Sequence, residues 1–215
     1  MHLSHSRFLI LGLILLSFVV GAFFYPRMPA MMASHWDEHG QVDGYPPRFW
    51  GVFLFPLALV GFAGLLLALP GIDPLKHNIA RFRAQYEAFV LLTVGFLAYL
   101  YLLTLLWNLG IQMHLLQMLA PASAVLFYAI GALMQHTRRN YFIGIRTPWT
   151  LSSDQVWDRT HQVAGKWFRW AALAALGGLL WPDLGIAFVL VPVLVAALCS
   201  TVYSYLEFRR LNKEI

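Results

Sequence analysis

The sequence predicts an all-α fold, a polytopic bundle of about six transmembrane helices with both termini on the cytoplasmic side. Three observations predict it. First, 60% of the 215 residues are hydrophobic and only 12% are charged, roughly half the charged fraction of a soluble domain. A water-soluble core of this length could not hide so much apolar surface, so the excess must face lipid. Second, the apolar residues fall into six stretches, at 8–25, 50–69, 88–107, 115–134, 167–181 and 184–206. Most reach the roughly 20 residues that a helical span requires. Third, the basic residues are distributed unevenly between alternate connections. With the N-terminus inside, thirteen of the 15 Lys and Arg residues, from Arg7 through Arg83, Arg139 and Arg159 to Lys213, lie on the cytoplasmic side. Only Arg27 and Arg48 lie outside, and this bias sets the orientation.

Taken in order, Arg7 precedes the run from Phe8 to Phe24, which reads as a retained first helix rather than a cleaved leader because no clean small-residue cleavage site follows. Pro26 and Pro29 end that helix and hold its exit extended. A short amphipathic segment at 77–83 precedes the third span. The fifth stretch is short, and Trp181-Pro182-Asp183 joins it tightly to the sixth, so the two form a helical hairpin. Pro56, Pro121 and Pro192 lie within or beside spans, where they read as packing kinks. The net charge of +5 and pI of about 9.6 come from loop residues that set topology. No zinc-finger spacing or basic helix with interleaved aromatics accompanies them, so direct nucleic-acid binding is not expected. The single cysteine, Cys199, rules out an internal disulfide.

Two connections are long enough to carry function. The extracytoplasmic one, 26–49, contains His35-Trp36-Asp37-Glu38-His39-Gly40-Gln41-Val42-Asp43-Gly44-Tyr45. His35, Asp37, His39 and Asp43 are residue types that ligate zinc, but there is no thiolate and no H-E-x-x-H pattern. The Gly and Pro content favours a turn-rich polar loop over a metal centre, and no cofactor is expected. The cytoplasmic connection, 135–166, runs Asn140-Tyr141-Phe142-Ile143-Gly144-Ile145-Arg146-Thr147-Pro148-Trp149-Thr150-Leu151. Ser152 or Ser153 then caps a helix on which Val156, Trp157, Thr160, Val163, Ala164 and Trp167 recur at helical spacing. This helix reads as interfacial and leads into the fifth span. Arg146 is suited to clamp a carboxylate or phosphate, to stack on an aromatic ring, or to pair with lipid phosphate, Asp154 or Asp158. His161 is a candidate proton-labile group. No nucleophile–base pair, paired-carboxylate site or phosphate loop is visible, so an enzyme is not expected.

The two motif blocks resemble the SdpI family of bacterial membrane proteins. Pro29 through Tyr45, with His35-Trp36-Asp37, Gly40, Asp43 and Gly44, is similar to the extracytoplasmic motif of the DUF1648 domain. Asn140 through Leu151, with Val156-Trp157, Thr160-His161 and Gly165, is similar to the family's C-terminal signature. The resemblance divides the chain into a DUF1648-like region at 1–87 with two spans and an SdpI-like region at 88–215 with four, within one integrated membrane domain. It implies a protein of the bacterial inner membrane that gives immunity to a secreted, membrane-active peptide toxin. It also implies signalling through a cytoplasmic transcriptional repressor or other regulator. On this reading His35, Trp36, Asp37, Gly40 and Asp43 meet the extracellular peptide. Asn140, Gly144, Arg146, Thr147, Pro148, Trp149, Trp157 and His161 meet the cytoplasmic partner. Two other classes remain open: a small transporter, weakened by the absence of acidic residues at mid-span, and a metal-binding membrane enzyme using His35, Asp37, His39 or Asp43.

Overall fold

A computed structural model describes residues 4–212, so Lys213, assigned above to the cytoplasmic side, lies outside the described residues. The fold is all-α apart from one small hairpin. Its elements are α1 (His5–Phe24), β1 (His35–Trp36), β2 (Val42–Gly44), α2 (Arg48–Ile72), α3 (Lys76–Ala80), α4 (Arg83–Asn108), α5 (Leu115–Met134), α6 (Pro148–Ser152), α7 (Asp154–Ala175) and α8 (Gly185–Leu211). Helices α1, α2, α4, α5 and α8 are long and apolar enough to cross a membrane. They match five of the six predicted stretches. Pro56, Pro121 and Pro192 lie inside α2, α5 and α8.

The fifth stretch, 167–181, differs in a way that the charges before it explain. Ser153 caps α7 by accepting a bond from the Val156 N–H, and the helix then runs unbroken to Ala175 before a 3₁₀ turn at Leu176–Leu179. The predicted interfacial helix and the first part of the predicted fifth span are therefore one rod. Asp154, Asp158, Arg159 and Lys166 make its first half too polar for hydrocarbon, while 167–181 supplies the apolar part. The first half packs into the bundle. Val156, Trp157, Thr160, His161, Ala164 and Phe168 are buried, and α7 packs on both α5 and α8.

The helices form two clusters, α1 with α2 and α4, and α5 with α7 and α8, joined along the α4–α5 contact. Ile10, Ile14, Leu59, Val90 and Val94 form the heart of the first. Phe127, Ala172, Ala175 and Val189 form that of the second. Contacts at the helix ends define two poles. Arg7 on α1 pairs with Glu87 on α4, Arg139 with Asp154, and Arg159 with Glu207 on α8, so the described ends of the chain share one basic pole. The hairpin, the α4–α5 turn and the start of α8 form the opposite pole.

Helices α5 and α7 approach backbone to backbone. A Cβ on Gly165 would sit 2.7 Å from the Gly131 carbonyl oxygen, and one on Gly131 would sit 2.6 Å from that of Gly165. Small residues permit this approach, which replaces a missing hydrophobic driving force between helices in lipid with close dispersion contact. By contrast, Gly61 and Gly64 on α2 have nothing within 4 Å of an added Cβ. Gly165→Leu is expected to force α7 from α5 and cost about 1–3 kcal/mol. Gly61→Leu should leave the melting temperature of the purified protein within error, and thermal melts of both variants beside the wild type check the contrast.

Candidate functional site: a clamped hairpin outside and a polar knot at the basic pole

At the hairpin pole the chain must leave α1 and enter α2 without stranding backbone polar groups. The Met32 N–H donates to the Pro46 carbonyl at 2.9 Å and the Arg48 N–H to that of Ala30 at 2.8 Å. Asn108, at the end of α4, holds Ala33 from both sides. Its Oδ1 accepts from the Ala33 N–H and its Nδ2 donates to the Ala33 carbonyl, each at 2.8 Å. The side-chain amide thus acts as a strand partner and anchors the hairpin root to the bundle.

Beyond this clamp, β1 and β2 pair antiparallel with His35 opposite Gly44. Asp37 builds the turn, its Oδ1 accepting from the His39 N–H at 2.9 Å and the Gln41 N–H at 2.8 Å. Gly40 occupies the left-handed position at φ +77°. His35 Nδ1 and Asp43 Oδ1 meet at 2.5 Å across the two exposed strands. Trp36 packs edge-on against Trp107 of α4, with ring centres 5.8 Å apart. The five outer candidates therefore share one hairpin with divided tasks: Asp37 and Gly40 shape the turn, His35 and Asp43 bridge the strands, and Trp36 docks on the bundle. His39 Nδ1 lies 3.8 Å from the Glu38 carboxylate, and among the described residues no three His, Cys, Asp or Glu side chains form a group suited to a metal ion.

Under the hairpin lies a cavity of about 510 Å³. Phe55 of α2, Leu100 of α4, Leu116 and Leu119 of α5, and Ile186 of α8 wall it, and Asp37 and Glu38 stand at its rim. Both helix clusters thus contribute to one space.

At the basic pole the Asn140–Leu151 segment is a polar knot. Asn140 is wholly buried and fully bonded. Its Nδ2 donates to the Arg138 and Ile143 carbonyls at 2.7 and 3.0 Å, and its Oδ1 accepts from the Phe142 and Ile143 N–H groups at 3.0 and 2.7 Å. Gly144 follows at φ +112°, where a Cβ would lie 2.3 Å from His161 Nε2. Only glycine permits both that backbone and that approach. The turn aims the Ile145 N–H at His161 Nε2, 2.9 Å away, while His161 Nδ1 donates to the Trp157 carbonyl at 2.8 Å. The ring also stacks on Trp157 at 4.0 Å, and the indole N–H of Trp157 reaches the Thr137 carbonyl. His161 must therefore be neutral, with its proton on Nδ1. Burial pushes its pKa down to about 4.

Thr147 and Thr150 close the knot as a reciprocal cap on α6, and the Thr147 hydroxyl meets that of Ser204 on α8 at 3.0 Å. Asn140, Gly144, Thr147, Trp157 and His161 are thus brought together inside. Arg146 and Pro148 face solvent, and Trp149 is half-buried against Tyr205. Asp154 and Asp158 do not pair with Arg146. They pair with Arg139 at 2.7 Å and Arg138 at 3.0 Å, while Arg146 donates to the Tyr141 carbonyl.

Several organising residues were not predicted. Buried Asp73 accepts from the Tyr141 N–H at 2.8 Å, and Asn78 donates to the Arg139 carbonyl at 2.8 Å, tying the α2–α4 connection to the knot. Buried Glu87 binds Ser4, Arg7 and Arg83. Buried Glu207 binds Arg159. The sequence signal was an acidic residue at the edge of an apolar run with an arginine within a turn of it, as for Arg83 and Glu87.

A two-cluster bundle of apolar helices, with every irregular segment confined to its poles, defines a multi-pass α-helical membrane protein in contact with the lipid bilayer. Residues 136–204 match the SdpI/YfhL protein family, and residues 12–60 match a domain of unknown function, DUF1648. The chain is also similar to the Immunity protein SdpI of Bacillus subtilis (strain 168), with 25% identity over 205 residues, 93% of this chain and 94% of the relative. The chain is thus similar to the SdpI family in its C-terminal part and to DUF1648 in its N-terminal part. No solved structure matches it.

The knot makes stability depend on pH. Because the folded pKa of His161 lies near 4, below the ordinary value of about 6.5, the unfolded chain takes up the proton first. The contribution of this histidine is full above about pH 6.5 and falls as the pH drops toward 4, by about 3 kcal/mol in all. Melting temperatures measured from pH 7.5 to 4.5 should decline through that window, and His161→Gln should flatten the decline.

Proposed function

We propose that this protein lies in the inner membrane of a bacterium and confers resistance to a secreted, membrane-active peptide. The hairpin pole receives the peptide and the basic pole reports its arrival to a cytoplasmic regulator. The cytoplasmic placement of the basic pole follows from its Lys and Arg excess. The observation that carries the reading is the cavity beneath the hairpin, with walls drawn from α2, α4, α5 and α8. A ligand there touches both clusters at once, whereas at the other pole the clusters are joined by the hydrogen bonds that the Tyr141 N–H donates to Asp73 and that Asn78 donates to the Arg139 carbonyl. Any ligand that prefers one arrangement of the clusters biases the knot below by its differential affinity. Tyr141, Arg146, Pro148 and Trp149 are among the knot residues accessible to a regulator. The role is binding and relay, with no catalytic step. The relative's designation as an immunity protein supports the direction of the effect.

The test is survival of a sensitive bacterium expressing the protein at matched membrane levels under challenge by the peptide. Wild type should protect. Trp36→Ala, which removes the hairpin's aromatic contact with α4, should lose most protection. Arg146→Ala should keep protection and lose any transcriptional response. Equal protection by Trp36→Ala and wild type would overturn the role of the hairpin pole.

A further inference from the structure

The cavity under the hairpin has a neighbour along the bundle. A second groove of about 620 Å³ runs along the lipid-facing side of α4 between α2 and α5, and Phe55 borders both spaces. Helices α2 and α5 each pack on α4 without substantial packing on each other. The seam between the clusters is therefore open toward lipid, with Phe62 and Leu65 lining the groove while themselves exposed. Its remaining walls include Leu97 and Leu126.

Charge distinguishes the two ends of this path. Neither lysine nor arginine lines either space, and Asp37 and Glu38 stand at the mouth, with His35 engaged by Asp43. The whole pole shares that sign, although the chain carries net +5. Its carboxylates are Asp37, Glu38, Asp43 and Asp183. Its guanidiniums, Arg27 and Arg48, lie over the rings of Phe23, Phe24 and Tyr25. Among the described residues the Trp36 indole nitrogen, buried beside the cavity, has no hydrogen-bond partner, and an idle buried donor costs free energy.

We propose that the cavity and the groove form one site for an amphipathic cationic peptide, resting on the reading above that the hairpin pole receives a peptide. The cationic end sits at Asp37 and Glu38, a carbonyl takes the Trp36 N–H, and the apolar side chains line the α4–α5 seam, reached sideways from the outer leaflet. An acidic mouth selects the sign of the ligand and the apolar walls supply its affinity.

The test uses the full chain in phosphatidylcholine nanodiscs and a short Leu/Lys amphipathic peptide carrying a photoreactive group among its leucines, with a Leu/Glu peptide as control. The Lys peptide should bind about tenfold tighter than the Glu peptide and label Phe55, Leu116 or Leu119. The double variant Asp37→Asn/Glu38→Gln should erase that preference. The asparagine keeps the side-chain oxygen that accepts the turn's two N–H groups, so the hairpin survives. Leu119→Trp should fill the cavity and abolish labelling there. Equal binding of the two peptides, labelling elsewhere, or wild-type labelling of a folded Leu119→Trp would overturn the site. Labelling of the cavity in a protein that fails to protect cells would sustain the site and remove the immunity reading. Protection with labelling elsewhere would remove the site alone.

Discussion

Hydrocarbon offers no water to an unpaired N–H or carbonyl, and the rest of this structure depends on that constraint. Helices satisfy it along their length, so the protein is a set of rods, and every departure from a helix is pushed to a pole. There the same requirement returns in another form, because some irregular segments are themselves buried. Short polar side chains meet it. Asn108 serves both backbone groups of Ala33, Asn140 serves four groups of its own turn, and Asp37 serves two N–H groups of the hairpin. Leaving such groups unmade would cost about 1–3 kcal/mol each. These amides and carboxylates therefore determine where the chain enters and leaves each helix.

The basic pole solves a second problem, how neighbouring helices within each cluster keep their ends in register. Buried Glu87 draws the start of α1 to α4, and buried Glu207 draws α7 to the end of α8. A buried ion pair is a weak source of net stability, because desolvation opposes the attraction. Its effect is on specificity, since removing one partner strands a charge. Register fixed in this way lets Ile145 find His161 and Thr147 find Ser204.

The two poles thus differ physically. The basic pole is closed by short hydrogen bonds between segments of both clusters, while the hairpin pole leaves a cavity between the same clusters. A bundle tied at one end and spaced at the other has the form that the proposed relay requires, with one surface for what arrives from outside and another to sense the result.

The sequence by itself determined the class, the spans and their order, because lipid solvation acts on composition and length, which are local quantities. The Lys and Arg bias, a serine cap at Ser152 or Ser153 and the tight Trp181-Pro182-Asp183 turn were legible for the same reason, and the structure places the cap at Ser153. The sequence also marked both motif blocks. What it could not assign was the division of labour within them. Asn140, Gly144 and His161 read as a candidate partner surface, yet they are the inside of a knot. Arg146 seemed free to pair with Asp154 or Asp158, yet Arg139 and Arg138 hold those carboxylates. The unbroken α7 was hidden because a charged half and an apolar half look like two elements until both are packed on α5 and α8. Only the tertiary structure decided these matters, along with the cavity and the Gly131–Gly165 crossing. Each depends on which distant segment lies within about 3 Å, the range of hydrogen bonds, which are set by packing between elements rather than by the local pattern of any one.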